Sequence, residues 1–208
     1  MRKKSKLVYG VGVNDADYPV QRHGVEDGKK KQLWICPFYR KWNGMLERSY
    51  SEVLKEKYPT YRGCKTVPEW HYFMTFRAWM VEQDWEGKVL DKDILVVGNK
   101  EYGPDTCVFV DQNVNKFLNQ YSLYERKWPI GVSKDPERGA YQARCQGVIS
   151  GKSQSLGYYQ TPEEAHQAWL TFKLEQAKIL ASQQSDSRVA AALVDRYENY
   201  DRYFGGTK

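Results

Sequence analysis

The segment from Thr161 to Gln184 most constrains the fold, because its helical pattern is the clearest in the chain. Thr161 and Glu164 have the spacing of a capping box, in which each side chain satisfies a backbone N–H at the helix start. Pro162 stands at the first helical position, where its missing N–H leaves no bond unmade. An apolar stripe predicts the buried face: Ala165, Ala168, Trp169, Phe172, Gln176 and Ile179. Its small residues favour close packing on a sheet.

Three short segments before this helix favour β-strands: IGVSKD, AYQARCQGVI and SQSLGYY, separated by turn-forming residues. Side chains alternate between the two faces of a strand. Gln142, Arg144 and Gln146 form one polar set, which cannot lie under an apolar helix. We expect these three on the outer face, with four further polar residues on or beside it: Lys134, Arg138, Lys152 and Gln154. A polar face that meets only solvent is the alternative.

The N-terminal half favours helices over 37–57 and from Pro68 to Gln83, a hairpin over 90–110, and a third helix after it. In the second helix one face is predicted to carry the large apolar residues Trp70, Phe73, Phe76 and Met80. The segment RHGVEDGKKKQ, residues 22–32, is predicted to be an exposed loop. The fold class is therefore α+β, with flanking helices around the hairpin.

The formal charge of +6 and the sequence pI of about 9.0 favour a polyanionic partner. With 7 Trp and 16 Tyr, the chain also has side chains on which bases stack. A protein with surplus surface lysines is the alternative. No stretch approaches the ~18 apolar residues of a membrane span, and the N-terminus lacks the apolar core of a secretory signal.

The four cysteines, Cys36, Cys64, Cys107 and Cys145, form no Cys-x-x-Cys pair. Their spacing therefore gives no signal for a zinc ribbon or finger. Buried reduced thiols are the favoured interpretation. A zinc site built from Cys36 and Cys64 is a weaker alternative.

Residues 131–165 carry an ordered set of short motifs. They are Gly131-Val132, Tyr141-x-Ala143-Arg144, Leu156-Gly157-x-Tyr159 and Thr161-Pro162-Glu163-Glu164-Ala165. Together they resemble the Apetala/ethylene-response-factor DNA-binding domain, in the form appended to phage and bacterial HNH homing endonucleases. The resemblance implies a three-stranded antiparallel sheet, backed by one helix, that lies in the DNA major groove. Ser133 and Ser153 stand where plant members carry arginine, so no base preference carries over.

A second ordered set lies between residues 42 and 107. It comprises Trp42-x-x-Met45-x-x-Arg48, Glu69-Trp70, Leu90-Asp91-Lys92-Asp93, Gly98-Asn99 and Cys107. This set resembles phage-encoded HNH-type endonucleases. The resemblance implies a hairpin followed by a helix around one divalent metal, Mg²⁺ or another, which supports hydrolysis of DNA phosphodiester bonds.

The resemblance assigns roles residue by residue. Asp91 matches the acidic or histidine metal ligand, and Asn99 matches the asparagine that holds the catalytic loop. Asn113 or Asn115 stands where the following helix supplies a ligand, and we expect Asn115 to complete a metal set with Asp91 and Asp93.

Lys92 stands where the family carries its general-base histidine. A lysine is ordinarily protonated at neutral pH and is a poor base, and flanking carboxylates favour the charged form. Lys92 is therefore expected to contact phosphate. Asp93 is the more conservative surrogate for binding metal or activating water.

Three histidines are present, and no motif supports any of them as the base: His23, His71 and His166. His23 and His71 are therefore weaker candidates than Asp93 for the general base. For the acids, simple ion pairing with nearby lysines is the alternative to a metal site: Lys88, Lys92 or Lys100.

Two functions stay open at this point. One is a phage homing-type endonuclease, with an HNH endonuclease-like domain (1–125), an Apetala-type DNA-binding domain (126–184) and a helical tail (185–208). The other is a catalytically inactive DNA-binding or regulatory protein on a degenerate HNH scaffold. Either implies double-stranded DNA as partner and the cytoplasm of an infected bacterial host. The tail helix either docks on the rest of the chain or joins two copies in a homodimer.

Overall fold

The computed structural model describes residues 7–118 and 127–204, and their fold is α+β. The chain divides into two compact units, Met1–Val110 and Asp111–Lys208. The predicted domain boundary between residues 125 and 126 lies outside the described residues.

The first unit combines helices with small two-stranded sheets. Its elements are β1 (Gln21–Glu26), β2 (Lys29–Ile35), α1 (Pro37–Tyr50), α2 (Glu52–Lys57), β3 (Lys65–Thr66), α3 (Phe73–Val81), β4 (Val89–Asp91), β5 (Glu101–Tyr102) and β6 (Val108–Val110). Strands β1 and β2 pair antiparallel, as do β4 and β6, whereas β3 and β5 pair parallel. The predicted hairpin over 90–110 is confirmed as the β4–β6 pair.

Aromatic side chains from α1 and α3 build the core of the first unit. Trp42 is fully buried, and its indole N–H donates to the Trp70 carbonyl at 2.7 Å. The predicted apolar face of the second helix is confirmed, although its first turn, Pro68–His71, is a 3₁₀ helix. Phe109 of β6 stacks on Trp79 with 5.7 Å between ring centroids. This contact anchors the β4–β6 hairpin on the core.

Residues 22–32 form strands, and the predicted loop is wrong. They belong to the antiparallel β1–β2 ribbon, whose turn is Asp27-Gly28. Both turn residues have positive φ, 51° and 73°, as a two-residue hairpin turn requires. Aspartate and glycine tolerate that conformation, so the chain reverses here without strain.

The second unit is a three-stranded sheet covered by helices. Its elements are α4 (Gln112–Leu118), β7 (Val132–Asp135), β8 (Ala140–Gln146), β9 (Ser153–Tyr159), α5 (Pro162–Ala181), α6 (Ser187–Glu198) and α7 (Tyr200–Phe204). The sheet is antiparallel in the order β7-β8-β9, and α5 packs on one face of it. Helix α6 packs against α5, so the tail predicted as a separate segment belongs to the same unit as the sheet.

Helix α5 begins as predicted, and its buried face shares Ala165, Trp169 and Gln176 with the predicted one but is shifted around the helix. The capping box between Thr161 and Glu164 is present, with Pro162 in the first turn. The buried residues are Ala165, Trp169, Lys173, Gln176, Ala177 and Leu180. Ala168, Phe172 and Ile179, predicted on this face, are only half-buried.

Lys173 accounts for part of this difference. Its side chain is fully buried, and its ammonium lies 3.5 Å from the ring centroid of Phe117 and 5.3 Å from that of Tyr197. Burial lowers the pKa of Lys173 to about 8. The aromatic rings offset part of the desolvation cost through cation–π attraction.

Gly131 lets α5 approach β7 closely. Its φ is +81°, and a Cβ at this position would lie 2.0 Å from the Trp169 ring. A glycine is therefore required here on two counts, backbone conformation and space.

All four cysteines are free and buried, as the sequence favoured. Cys36, Cys64 and Cys107 lie in the first unit, and Cys145 lies in the second. Among the described residues, no helix has the length and apolar character needed to cross a membrane.

Candidate functional site

Asp91 ends strand β4 and turns the chain into the loop that follows. It is buried, and its Oδ1 accepts the backbone N–H groups of Asp93 at 2.8 Å and Ile94 at 2.9 Å. Such a turn is typical of aspartate, whose short side chain reaches its own backbone two residues on. The Asp91 carboxylate therefore has a fixed position.

Asn99 closes this loop. Its side-chain N–H₂ donates to the Lys92 carbonyl and to the Glu101 carbonyl, both at 2.7 Å. Its Oδ1 accepts the Glu101 N–H at 3.1 Å. Three hydrogen bonds from one amide therefore tie the two ends of the loop together and fix the backbone of Lys92.

Lys92 is buried, with 8% of its side chain exposed, and its ammonium donates to Asp93 Oδ2 at 3.0 Å. The Lys92 ammonium is therefore paired with the Asp93 carboxylate. The ion-pairing alternative thus holds for Asp93. The neighbouring lysines have other partners: Lys88 pairs with Asp84, and Lys100 donates to the Thr60 carbonyl.

Tyr102 and Arg48 are two site residues that the sequence did not reveal as such. The Lys92 ammonium lies 5.9 Å from the Tyr102 ring centroid. Arg48 Nε donates to the Tyr102 hydroxyl at 2.8 Å, and its guanidinium lies 5.3 Å from the same ring. The ring thus lies beside two cations. No periodicity marks Tyr102, although Arg48 belongs to the ordered motif set.

Burial, with a smaller contribution from the charge of Asp93, raises the pKa of Asp91 to about 6. Two carboxylates close together repel when both are ionised, so one of them retains its proton to a higher pH. A cation that bound both oxygens would relieve this repulsion.

The two carboxylates fit Mg²⁺ better than zinc. Mg²⁺ is commonly held by one or two carboxylates, with water and phosphate oxygens as the other ligands. A structural zinc ion takes four protein ligands. The described residues contain no group of three or more His, Cys, Asp or Glu side chains that could hold a metal, so Cys36 and Cys64 form no such site with neighbours of these types.

The other predicted metal ligand and the three histidines lie on other elements of the structure. Asn115 lies on α4, in the second unit, and its backbone N–H donates to the Asp111 carbonyl. His71 Nε2 lies 3.0 Å from the Tyr50 hydroxyl, and His23 lies on the β1–β2 ribbon. His166 stacks on Trp169. Each histidine thus has a packing or surface role in this structure.

The outer face of the β7–β8–β9 sheet carries the central DNA-binding candidates. Ala143 and Cys145 of β8 are buried, whereas Arg144 and Gln146 are exposed and Gln142 is half-exposed. The predicted alternation along β8 is therefore confirmed. Arg144 pairs in register with Ser155, and Gln142 pairs with Tyr158.

Side chains on this face contact one another. Gln142 Nε2 donates to the Ser155 hydroxyl at 3.1 Å and to the Tyr158 hydroxyl at 3.0 Å. The Arg138 guanidinium lies 4.5 Å from the Tyr158 ring centroid. These contacts hold the Gln142, Tyr158 and Arg138 side chains against one another.

Three predicted residues lie at the margins of the sheet. Lys134 pairs in register with Tyr141, and Gln154 pairs with Cys145, so both belong to the alternation set of the helix-covered face. Lys152 lies in the turn between β8 and β9. All three are exposed.

Comparisons of this chain with protein-family models, with curated proteins and with solved structures found no match.

Proposed function

We propose that the protein binds double-stranded DNA through the outer face of the β7–β8–β9 sheet. The observation that carries this proposal is the polar outer set of Gln142, Arg144 and Gln146, half-exposed or exposed, on a strand whose other face is buried. A rigid sheet that presents polar side chains at fixed spacing is suited to reading a surface rather than enclosing a small molecule.

The chemistry of this face suits the major groove. That groove is about 12 Å wide and admits β-ribbons. Arginine can donate two hydrogen bonds to a guanine edge, and glutamine can pair with adenine. Arg138 and Lys152, near the ends of β8, would contact phosphates.

Duplex binding by Arg144→Gln tests the proposal. Loss of one phosphate or base contact should weaken binding about tenfold, which corresponds to ~1.4 kcal/mol. Lys178→Gln is the matched control, because it removes one charge from an exposed position on α5. Equal affinities of wild type and Arg144→Gln across a randomised duplex library would refute the assignment.

A second candidate function is metal-dependent hydrolysis of DNA by the first unit. Two features favour it: the Asn99 clamp, in which the side-chain amide of Asn99 joins the Lys92 and Glu101 carbonyls, and the nearby Asp91 and Asp93 carboxylates. Together they give a fixed backbone and two acidic side chains at the end of a hairpin, as the resemblance to HNH endonucleases implies. DNA bound by the sheet would be the substrate, and the cytoplasm of an infected bacterium the setting.

In this function, Asp91 and Asp93 would hold Mg²⁺, which when bound neutralises charge on the phosphate and its leaving oxygen. Asp93 is half-exposed and is the group that could accept a proton from water. Lys92 holds Asp93 in place and, because it is buried, is better suited to positioning than to direct phosphate contact.

Cleavage of supercoiled plasmid with Mg²⁺ or Mn²⁺ tests this second function. Wild type should nick or linearise the plasmid, and Asp91→Asn should not. Both proteins should bind the duplex equally in the same buffer, since the substitution leaves the sheet intact. Binding without cleavage by wild type, on plasmid and on phage genomic DNA, would reject hydrolysis and leave a DNA-binding protein on an inactive scaffold.

A further inference from the structure

The β1–β2 ribbon is exposed on both of its faces. No residue in the fully described range 21–35 is buried, and Val25 and Leu33 are 72% and 63% exposed. Strands usually bury at least one face against a core. Ile35, at the base of the ribbon, packs against the core, whereas residues 25–34 are exposed and suit a partner that can surround them.

Basic side chains lie on both faces of this ribbon. Lys29 and Lys31 pair in register with Glu26 and Gly24, whereas Lys30 pairs with Val25 on the opposite face. Because successive side chains alternate between the faces of a strand, three consecutive lysines place charge on both faces of the ribbon. In all, range 21–35 carries four cations against two carboxylates.

Nearer its base, the ribbon has side-chain packing of its own. The Arg22 guanidinium lies 5.0 Å from the Trp34 ring centroid. A Cβ on Gly24 would lie 2.6 Å from Leu33 Cδ1, so the Leu33 side chain covers this glycine. These contacts stiffen an element most of which is exposed.

We propose that the β1–β2 ribbon is a second DNA-binding element, which enters a groove of the duplex and contacts its phosphates with Lys29, Lys30 and Lys31. The inference rests on the proposed DNA-binding function and adds a site in the first unit. A groove has a phosphate wall on each side, so it can contact both faces of a two-stranded ribbon. An acidic protein surface would cover only one face.

The charges within the ribbon leave the lysines available. The ion pair between Lys31 and Glu26 is exposed, and such pairs contribute little to stability. Phosphate contacts of this kind are independent of base sequence. The ribbon therefore adds affinity, whereas the sheet of the second unit supplies the base contacts.

The salt dependence of duplex binding tests the ribbon. The plot of log K against log salt concentration has a negative slope, and each phosphate contact adds about 0.9 to its magnitude. The triple variant Lys29→Gln, Lys30→Gln, Lys31→Gln should therefore reduce that magnitude by up to about 2.7. The triple variant with arginine at the same positions should keep the wild-type slope, because it keeps the charge.

A charge-matched control separates the ribbon from net charge. The variant Lys55→Gln, Lys57→Gln, Lys65→Gln removes three charges from elsewhere in the first unit and should keep the wild-type slope. Circular dichroism should show the same fold for all variants, since every altered side chain lies at the surface or is partly exposed.

The outcomes distinguish the two proposals. If wild type binds the duplex and the ribbon variant matches the Lys55, Lys57 and Lys65 control, the ribbon proposal fails and the sheet proposal stands. If wild type binds no duplex, both proposals fail. The major groove of double-stranded RNA is deep and narrow. If the ribbon variant reduced the salt slope on double-stranded RNA as much as it does on DNA, groove entry by the ribbon would be refuted.

Discussion

The two units place their candidate functional residues in opposite environments. In the first unit, Asp91 and Lys92 are buried and fixed by hydrogen bonds from the surrounding loop. In the second unit, Arg144 and Gln146 are exposed on one face of the sheet, and helix α5 packs on the opposite face. A buried polar group affects stability as well as function, whereas an exposed one can change with little effect on folding. Four substitutions test this difference, in order of decreasing expected effect.

Gly131→Ala should have the largest effect, and on the second unit. A left-handed backbone and a clash with Trp169 together cost about 4 kcal/mol. Gly139→Ala is the control, since φ there is +63° but the surrounding space is open. It should cost only about 1 kcal/mol. Urea denaturation followed by circular dichroism measures both, and equal losses would contradict the steric argument.

Asp91→Asn should remove a pH dependence of the stability of the first unit. The raised pKa of Asp91, about 6, means that the folded state holds this proton more tightly than the unfolded chain. The free energy of unfolding should therefore fall as pH rises from about 4 to about 6, by about 3 kcal/mol. Below about pH 4 this destabilisation is absent, because Asp91 is protonated in both the folded and the unfolded chain. Above about pH 6 the full loss of about 3 kcal/mol is present.

Asparagine keeps an acceptor for the two backbone N–H groups but carries no charge. The stability of Asp91→Asn relative to wild type should thus grow across this pH window, as measured by urea titrations at each pH. Mg²⁺ should stabilise wild type at pH 7 and leave Asp91→Asn unchanged. Asp105→Asn, in an exposed turn, is the charge-matched control. A constant difference between wild type and Asp91→Asn would contradict the burial argument.

Asn99→Ala should open the loop of the first unit. It removes three hydrogen bonds at once, for a cost of about 2 kcal/mol. Hydrogen exchange should accelerate over residues 92–101 while the β7–β8–β9 sheet stays protected. Asn99→Asp keeps the acceptor for Glu101 N–H but sets a carboxylate oxygen against the carbonyl oxygens of Lys92 and Glu101, so it should open the loop at least as much as Asn99→Ala. Unchanged exchange in the loop would show that the clamp is dispensable.

Arg144→Lys should have the smallest effect, and on recognition alone. Lysine keeps the positive charge but loses the planar fork that pairs with a guanine edge. The salt slope of duplex binding should stay at the wild-type value, and discrimination between base pairs should fall by about 1 kcal/mol at one position. Unfolding should be unaffected within about 0.5 kcal/mol. A changed salt slope would instead assign Arg144 to phosphate.

The sequence predicted the sheet better than the features around it. Alternation in AYQARCQ gave the outer set correctly, because a period of two is unambiguous over seven residues. The buried face of α5 was displaced, because Lys173 counts as polar in any periodicity, whereas its burial is stabilised by tertiary contacts with the Phe117 and Tyr197 rings and the Phe117 carbonyl.

The sequence predicted which residues form the candidate site in the first unit, but it did not predict the side chains that contact them. Asp91, Lys92, Asp93 and Asn99 are consecutive enough to stand out as one motif. Tyr102 and Arg48 meet through tertiary packing, which no local spacing records. The ribbon did have a signal, Asp27-Gly28. It was missed because lysines, rather than alternating apolar residues, flank that turn.

The buried cysteines give each unit its own chemical reporter. A thiol reagent reaches Cys36, Cys64 or Cys107 when the first unit opens, and Cys145 when the second opens. Burial also raises the pKa of Cys107 to about 12 and raises that of Cys145, so neither thiol is reactive until it is exposed. The mass of the labelled protein, which rises in steps of three adducts and one, would show which unit unfolds first.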